Sequence, residues 1–134
     1  MKKSILIIGV IGVFIALLVM FLPKPKPTDV VVMWHTGLYN ANYDLVEKHT
    51  SATSADYLKN KGGIARIVKN YQDSENKEGR GLIELISHSV NADKAIVNYK
   101  SSYRKTGATV FFQDTLFLED ELWKVAPQFL IKAK

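Results

Sequence analysis

Apolar residues run without interruption from Ile5 to Leu22, and a mixed pattern of apolar and polar positions begins only after Pro27. As a helix, the eighteen residues of ILIIGVIGVFIALLVMFL would span about 27 Å, near the thickness of a hydrocarbon core. Lys2 and Lys3 precede this run, and Pro23, Pro25 and Pro27 follow it. The pattern predicts a membrane anchor over residues 1–22, a Pro/Lys spacer over 23–27 and a folded domain over 28–134. A cleaved signal fits less well, because the run is long and bulky residues, not an A-x-A site, follow it. The basic start favours a cytoplasmic amino terminus. The expected location is therefore single-pass in a membrane, with lipid contacted through residues 5–22 and the globular domain outside the cytoplasm.

Beyond the spacer, the spacing is first helical. Thr28 is placed to cap a helix carrying Asp29 in its first turn, and Val30, Val31, Trp34 and Leu38, joined by Met33, recur on one face. Asn40 to Asn42 predict a break before a short helix over Tyr43–Lys48. Ser54 offers a cap for ADYLKN, Gly62 and Gly63 interrupt, and Ile64, Ile67, Val68 and Tyr71 form another apolar face. SENKEG, residues 74–79, reads as a solvated turn.

From Gly81 the period shortens to two. Leu82–Val90, Ala95–Lys100, Ala108–Leu118 and Glu121–Val125 read as strands separated by turns. The expected architecture is α+β, with short helices packed on a curved antiparallel sheet. On the long third strand Val110, Phe112, Leu116 and Leu118 share a face with Asp114, while Phe111 and Phe117 share the other with Gln113 and Thr115. Two apolar faces predict burial on both sides or a surface kept for a partner, with Tyr99, Tyr103, Phe111 and Phe117 as the candidate protein interface.

Composition narrows the classes. The chain has 134 residues, a formal net charge of +5 and no cysteine. Two of those positive charges are Lys2 and Lys3, and the rest are scattered among acids, so no cationic stripe predicts nucleic-acid binding. Without cysteine there is no disulfide, thiolate metal site or thiol nucleophile.

Several stretches together carry a family resemblance: TDVVVMWHTGLYNANYDLVEKH, KGGIARI, DKAIVNYKSSY and ELWKVAP. Between Thr28 and Pro127 the chain resembles small NTF2-like envelope domains of the DUF4878 and lumazine-binding-like group, through Lys94–Val97 after an acidic turn and through the Leu122–Val125 strand. It resembles VirB8-like assembly proteins of secretion or conjugation machines more weakly. The resemblance implies a cone of helices on a curved sheet, with a pocket between them in some members.

An NTF2-like pocket suits acid–base chemistry, because a carboxylate in apolar surroundings can hold and release a proton near neutral pH. Asp114 is the candidate carboxylate, although an edge position or a bulge explains its interruption of the apolar face more simply. Trp34, Leu38, Tyr43 and Phe112 complete the candidate pocket, and core packing is their plainer role. His35 and His88 read as packed or surface residues. His49 reads as a residue at a helix carbonyl end. The three histidines have no metal-ligand spacing with one another or with Asp44. Neither a metal nor a cofactor is expected, and no catalytic residue is assigned. The leading expectation is a non-enzymatic component of an envelope assembly, associating with itself or with other envelope proteins. The alternatives are a protein binding a small apolar ligand and an acid–base enzyme.

Overall fold

Helix α1 (Pro27–Tyr39) begins one residue before the expected cap Thr28, with Lys26 at the capping position. Pro27 needs no N–H partner and its fixed φ suits the first turn. The Asp29 carboxylate accepts a hydrogen bond from the Lys26 amide at 3.2 Å. The computed structural model describes residues 23–60 and 62–127. Asn42 caps α2 (Tyr43–Lys48), its side chain accepting from the Leu45 amide. A 3-10 turn (Ala52–Ser54) leads into α3 (Ala55–Asn60), and α4 spans Gly63–Glu78. Most of the expected SENKEG turn is thus helical. Its residues continue the ladder of α4, supported by the Lys69–Asp73 ion pair and the Ser74–Glu78 hydrogen bond. The helix ends at Gly79, where φ of 82° takes the chain out of helical space.

Four strands follow: β1 (Gly81–Asn91), β2 (Lys94–Tyr103), β3 (Thr109–Glu119) and β4 (Leu122–Ala126). They form one antiparallel sheet in sequence order. On β2, Ala95, Val97, Tyr99 and Ser101 face the helices and lie opposite Leu116, Asp114, Phe112 and Val110 of β3. Val30, Val31, Trp34 and Leu38 of α1, Val46 of α2 and Ile67 and Val68 of α4 close on that face with Val97, Leu116 and Val125. The free edge of β4 is covered by the His49–Ser51 segment, through Ser51 N to Val125 O (2.8 Å) and Val125 N to His49 O (2.7 Å). At the other edge, β1 is mostly uncovered and bulges between Leu85 and Ser87.

The fold class is therefore α+β, with a correction. Among the described residues no helix is long and apolar enough to cross a membrane. The longest, α4, has 16 residues and carries Arg66, Lys69, Asp73, Glu75, Lys77 and Glu78, charges that a hydrocarbon core would not accept. The expected anchor, residues 1–22, lies outside the described residues. A transmembrane helix is accordingly not part of the fold described, and the single-pass location and the lipid partner inferred from it are withdrawn.

Candidate functional site

The helix-covered end of the sheet holds four polar side chains that bond to one another. His35 on α1 is only 3% exposed, as is Asp114 on β3. The His35 Nε2 lies 3.0 Å from Asp114 Oδ2 and 2.8 Å from the Tyr99 hydroxyl. On the other side of the ring, Nδ1 lies 2.7 Å from the Tyr71 hydroxyl. Both imidazole nitrogens are thus engaged by groups from three other elements: β2, β3 and α4.

Local structure explains this convergence. Val31, Trp34, His35 and Leu38 stand at i, i+3, i+4 and i+7 of α1, so the histidine belongs to the same inward stripe as its apolar neighbours. Asp114 shares the inner face of β3 with Phe112 and Leu116, and Tyr99 alternates inward with Val97 and Ala95. Tyr71 extends the Ile67–Val68 face of α4. The rings also pack. His35 meets Tyr99 and Trp34 edge-on, each with centroids 5.1 Å apart, and Phe112 stacks on Tyr99 at 5.4 Å.

A carboxylate only accepts, so an ionised Asp114 places the imidazole proton on Nε2 and leaves the Nδ1 lone pair for the Tyr71 hydroxyl. Asp114 also takes a hydrogen bond from the Tyr99 hydroxyl. Burial, with a further push from the Asp114 charge, holds the phenols of both Tyr71 and Tyr99 well above the usual range. Both therefore keep their protons at neutral pH and serve as donors. In this order Asp114 orients His35, and His35 stands ready to accept a proton through Tyr71.

Beside the cluster is a cavity of ≈ 20 Å³ bounded by His35, Tyr39, Tyr71, Ser101, Tyr103 and Phe112, among others. That is room for one oxygen-sized group. Gly81 packs against three of its lining residues. A Cβ there would lie 2.1 Å from Ser101 Oγ and 3.0 Å from the Tyr39 hydroxyl, which itself accepts from the Gly81 amide at 3.2 Å.

The sequence-expected pocket residues divide. Asp114 and Phe112 reach the cluster or its cavity, with Asp114 buried on the inner face of β3, paired with Val97 of β2 and one residue beyond the pairing with β4, and away from the bulge in β1. Trp34 and Leu38 are fully buried core, with the Trp34 indole donating to Thr50 Oγ1 at 2.9 Å. Tyr43 is 48% exposed on α2. The expected interface set divides too: Tyr99 lies inside, Tyr103 borders the cavity, and Phe111 and Phe117 occupy the outer face. His35, Tyr71 and Ser101 were not assigned to the site from sequence. The available signal was a pair of polar residues, His35 and Asp114, each interrupting an apolar stripe that must face the same core. His49 ends α2 with its Nδ1 2.9 Å from Leu45 O, and His88 is exposed on β1. Among the described residues no group of three or more His, Cys, Asp or Glu could hold a metal ion.

Comparison with known structures shows the fold. The chain is similar to a provisionally named NTF2-like transpeptidase of Campylobacter jejuni, with a TM-score of 0.62 and 17% identity over 78% of this chain and 100% of that one. It is more distantly similar to a provisionally named polyketide cyclase of Sinorhizobium meliloti, with a TM-score of 0.49 and 21% identity over 81% and 97% of the two chains. A provisionally named dehydratase of the NTF2-like family from Streptomyces avermitilis gives a TM-score of 0.46 and 9% identity over 72% and 86%. No protein-family model matches the chain, and no curated protein matches it.

The fold is NTF2-like; likeness at this identity shows the fold alone. It nevertheless corrects the firm expectation of a non-enzymatic protein, since a protein of this fold carries a provisional enzyme name. The expected role in an envelope or secretion assembly, with envelope proteins as partners, is corrected with it. The Campylobacter jejuni structure is named for a transpeptidase and not for such an assembly.

Proposed function

We propose that this NTF2-like domain handles a small molecule and performs general acid–base chemistry on it at the Asp114–His35–Tyr71 relay. One observation carries the reading: a buried imidazole has both ring nitrogens engaged, one by a carboxylate and the other by a phenol beside a cavity. A substrate proton passing to the Tyr71 oxygen moves the phenol's own proton to His35 Nδ1, and Asp114 offsets the charge of the resulting imidazolium. No free phenolate forms, which the raised Tyr71 pKa would oppose. Tyr99 donates to Asp114 and holds it in place. Within the superfamily we place the chain near the DUF4878 and lumazine-binding-like group; the DKAIVNYKSSY and LWKV strands support this.

The test is deuterium uptake from D₂O into carbon adjacent to the carbonyl in a panel of small ketones and thioesters, followed by NMR. The full chain is expected to exchange at least one compound faster than buffer. Tyr71→Phe is expected to lower that rate by about 10²-fold or more, the usual scale of a lost acid–base group, with the circular dichroism unchanged. Exchange at the buffer rate across the panel, or undiminished in folded Tyr71→Phe, would refute the relay.

A further inference from the structure

Two hydroxyl groups at the cavity beside His35 have unused protons. Ser101 faces the helices from β2 and is 4% exposed, and its hydroxyl bonds to no other group among the described residues. Tyr39, at the end of α1, is 9% exposed. Its hydroxyl accepts from the Gly81 amide at 3.2 Å and donates to no group among the described residues. Both residues line the ≈ 20 Å³ cavity. A buried hydroxyl left without an acceptor costs free energy, and here two of them meet one oxygen-sized space.

The relay does not use them. Tyr71 gives its proton to His35 Nδ1, and Tyr99 gives its own to Asp114. Burial holds the Tyr39 phenol above its usual range, so it keeps its proton at neutral pH. The Gly81 amide already occupies one lone pair of the Tyr39 oxygen, which leaves donation as the open role of that phenol. The space therefore offers a ligand hydrogen-bond donors. Ile83, Tyr103 and Phe112 line the same space and are each partly exposed.

Resting on the acid–base reading above, we infer that Ser101 and Tyr39 bind a carbonyl oxygen of the substrate and stabilise the charge it gains, with the substrate's carbon skeleton against Ile83, Tyr103 and Phe112. A proton leaves the carbon next to the carbonyl for the Tyr71 oxygen, and the Tyr71 proton moves to His35 Nδ1. The electron pair of the broken C–H bond forms a C=C bond, and the C=O π pair moves onto the oxygen. The product is an enolate whose oxygen carries the charge and accepts from Ser101 and Tyr39. Donors already in place strengthen their bonds in the transition state without reorganisation. The substrate class is a small ketone, aldehyde or thioester with a hydrogen on the adjacent carbon. A cavity of ≈ 20 Å³ seats one oxygen, so the two oxygens of a carboxylate do not both enter.

The experiment is an NMR titration of the full chain with cyclohexanone and with methylenecyclohexane, which has the same shape and no acceptor, followed by deuterium uptake into cyclohexanone from D₂O. Ser101→Ala is expected to weaken cyclohexanone about fivefold, the scale of one neutral hydrogen bond, and leave methylenecyclohexane unchanged. At saturating cyclohexanone it is expected to slow exchange by about tenfold or more, since the bond strengthens as the oxygen gains charge. Ser101 makes no side-chain bond whose loss would unfold the chain. Tyr39→Phe keeps the ring and is expected to shift both readings the same way.

Cyclohexanone affinity and exchange undiminished in both variants, in a chain that exchanges deuterium, would overturn the carbonyl-binding role and leave the relay standing. Weaker cyclohexanone binding in both variants, with exchange at the buffer rate throughout, would overturn the relay and leave the oxygen site standing. Equal weakening of both probes would mark a change of packing and overturn the inference, as would the absence of saturable cyclohexanone binding.

Discussion

Replacing Asp114 with alanine removes the acceptor on which the buried cluster depends. His35 Nε2, 3.0 Å from the carboxylate, and the Tyr99 hydroxyl would both lose it, and both belong to residues no more than 3% exposed. Each donor stranded without water costs about 1–3 kcal/mol, and the carboxylate serves two of them. The expected loss is therefore about 3–5 kcal/mol, a large part of the 5–15 kcal/mol usual for a domain. Asp114→Asn keeps the shape and one acceptor oxygen, so roughly half that loss is expected. Urea unfolding of the full chain, followed by circular dichroism, measures both. A double-mutant cycle with His35→Ala is expected to give a coupling of at least about 1 kcal/mol. If Asp114→Ala cost less than about 0.5 kcal/mol, it would behave as a solvent-facing aspartate does, and the inward placement argued here would be refuted.

Two further outcomes follow from geometry. Tyr71 and Tyr99 keep their protons in the folded state above the pH at which unfolded tyrosine ionises, so their contribution is complete below about pH 10 and declines as pH rises further. At pH 11 the two phenols together should cost about 3 kcal/mol of stability; absorbance at 295 nm should show them ionising only as the fold is lost, and simultaneous titration of all 6 tyrosines near pH 10 in a folded chain would contradict this. The loop between β3 and β4 places two residues other than glycine, Asp120 and Glu121, at φ of 50° and 64°, so Glu121→Gly is expected to stabilise the chain by about 1 kcal/mol, since its exposed ion pair with Lys24 contributes little. A lower urea midpoint for that variant would show that the hairpin does not hold this strained conformation.

Much of the folded part was legible because its signals are periodic. The inward stripe of α1, the break at Asn40–Asn42, the four strands and their turns are each written in local spacing. The end of α4 was not, since SENKEG is polar throughout and only i,i+4 pairing shows that it continues a helix. Tyr99 was assigned to an interface because alternation fixes which residues share a face of a strand and does not say which face meets the helices. His35 was legible in principle, four residues after Val31 and three before Leu38, but a histidine beside Thr36 also reads as exposed. Its meaning depends on Asp114, 79 residues away, and no local pattern encodes that distance.

A buried histidine–aspartate pair is commonly no more stabilising than well-packed apolar residues of the same volume. Gly81 is a different case: a Cβ there would lie 2.1 Å from Ser101 Oγ and 3.0 Å from the Tyr39 hydroxyl, so the close approach of these side chains accounts for the glycine. Packing gives no such account of the polar cluster, and departures from the rules of good packing are expected at functional sites. Tyr71→Phe separates the acid–base reading from a merely structural network, because it keeps the ring and its packing and removes only the hydroxyl that joins His35 to the cavity.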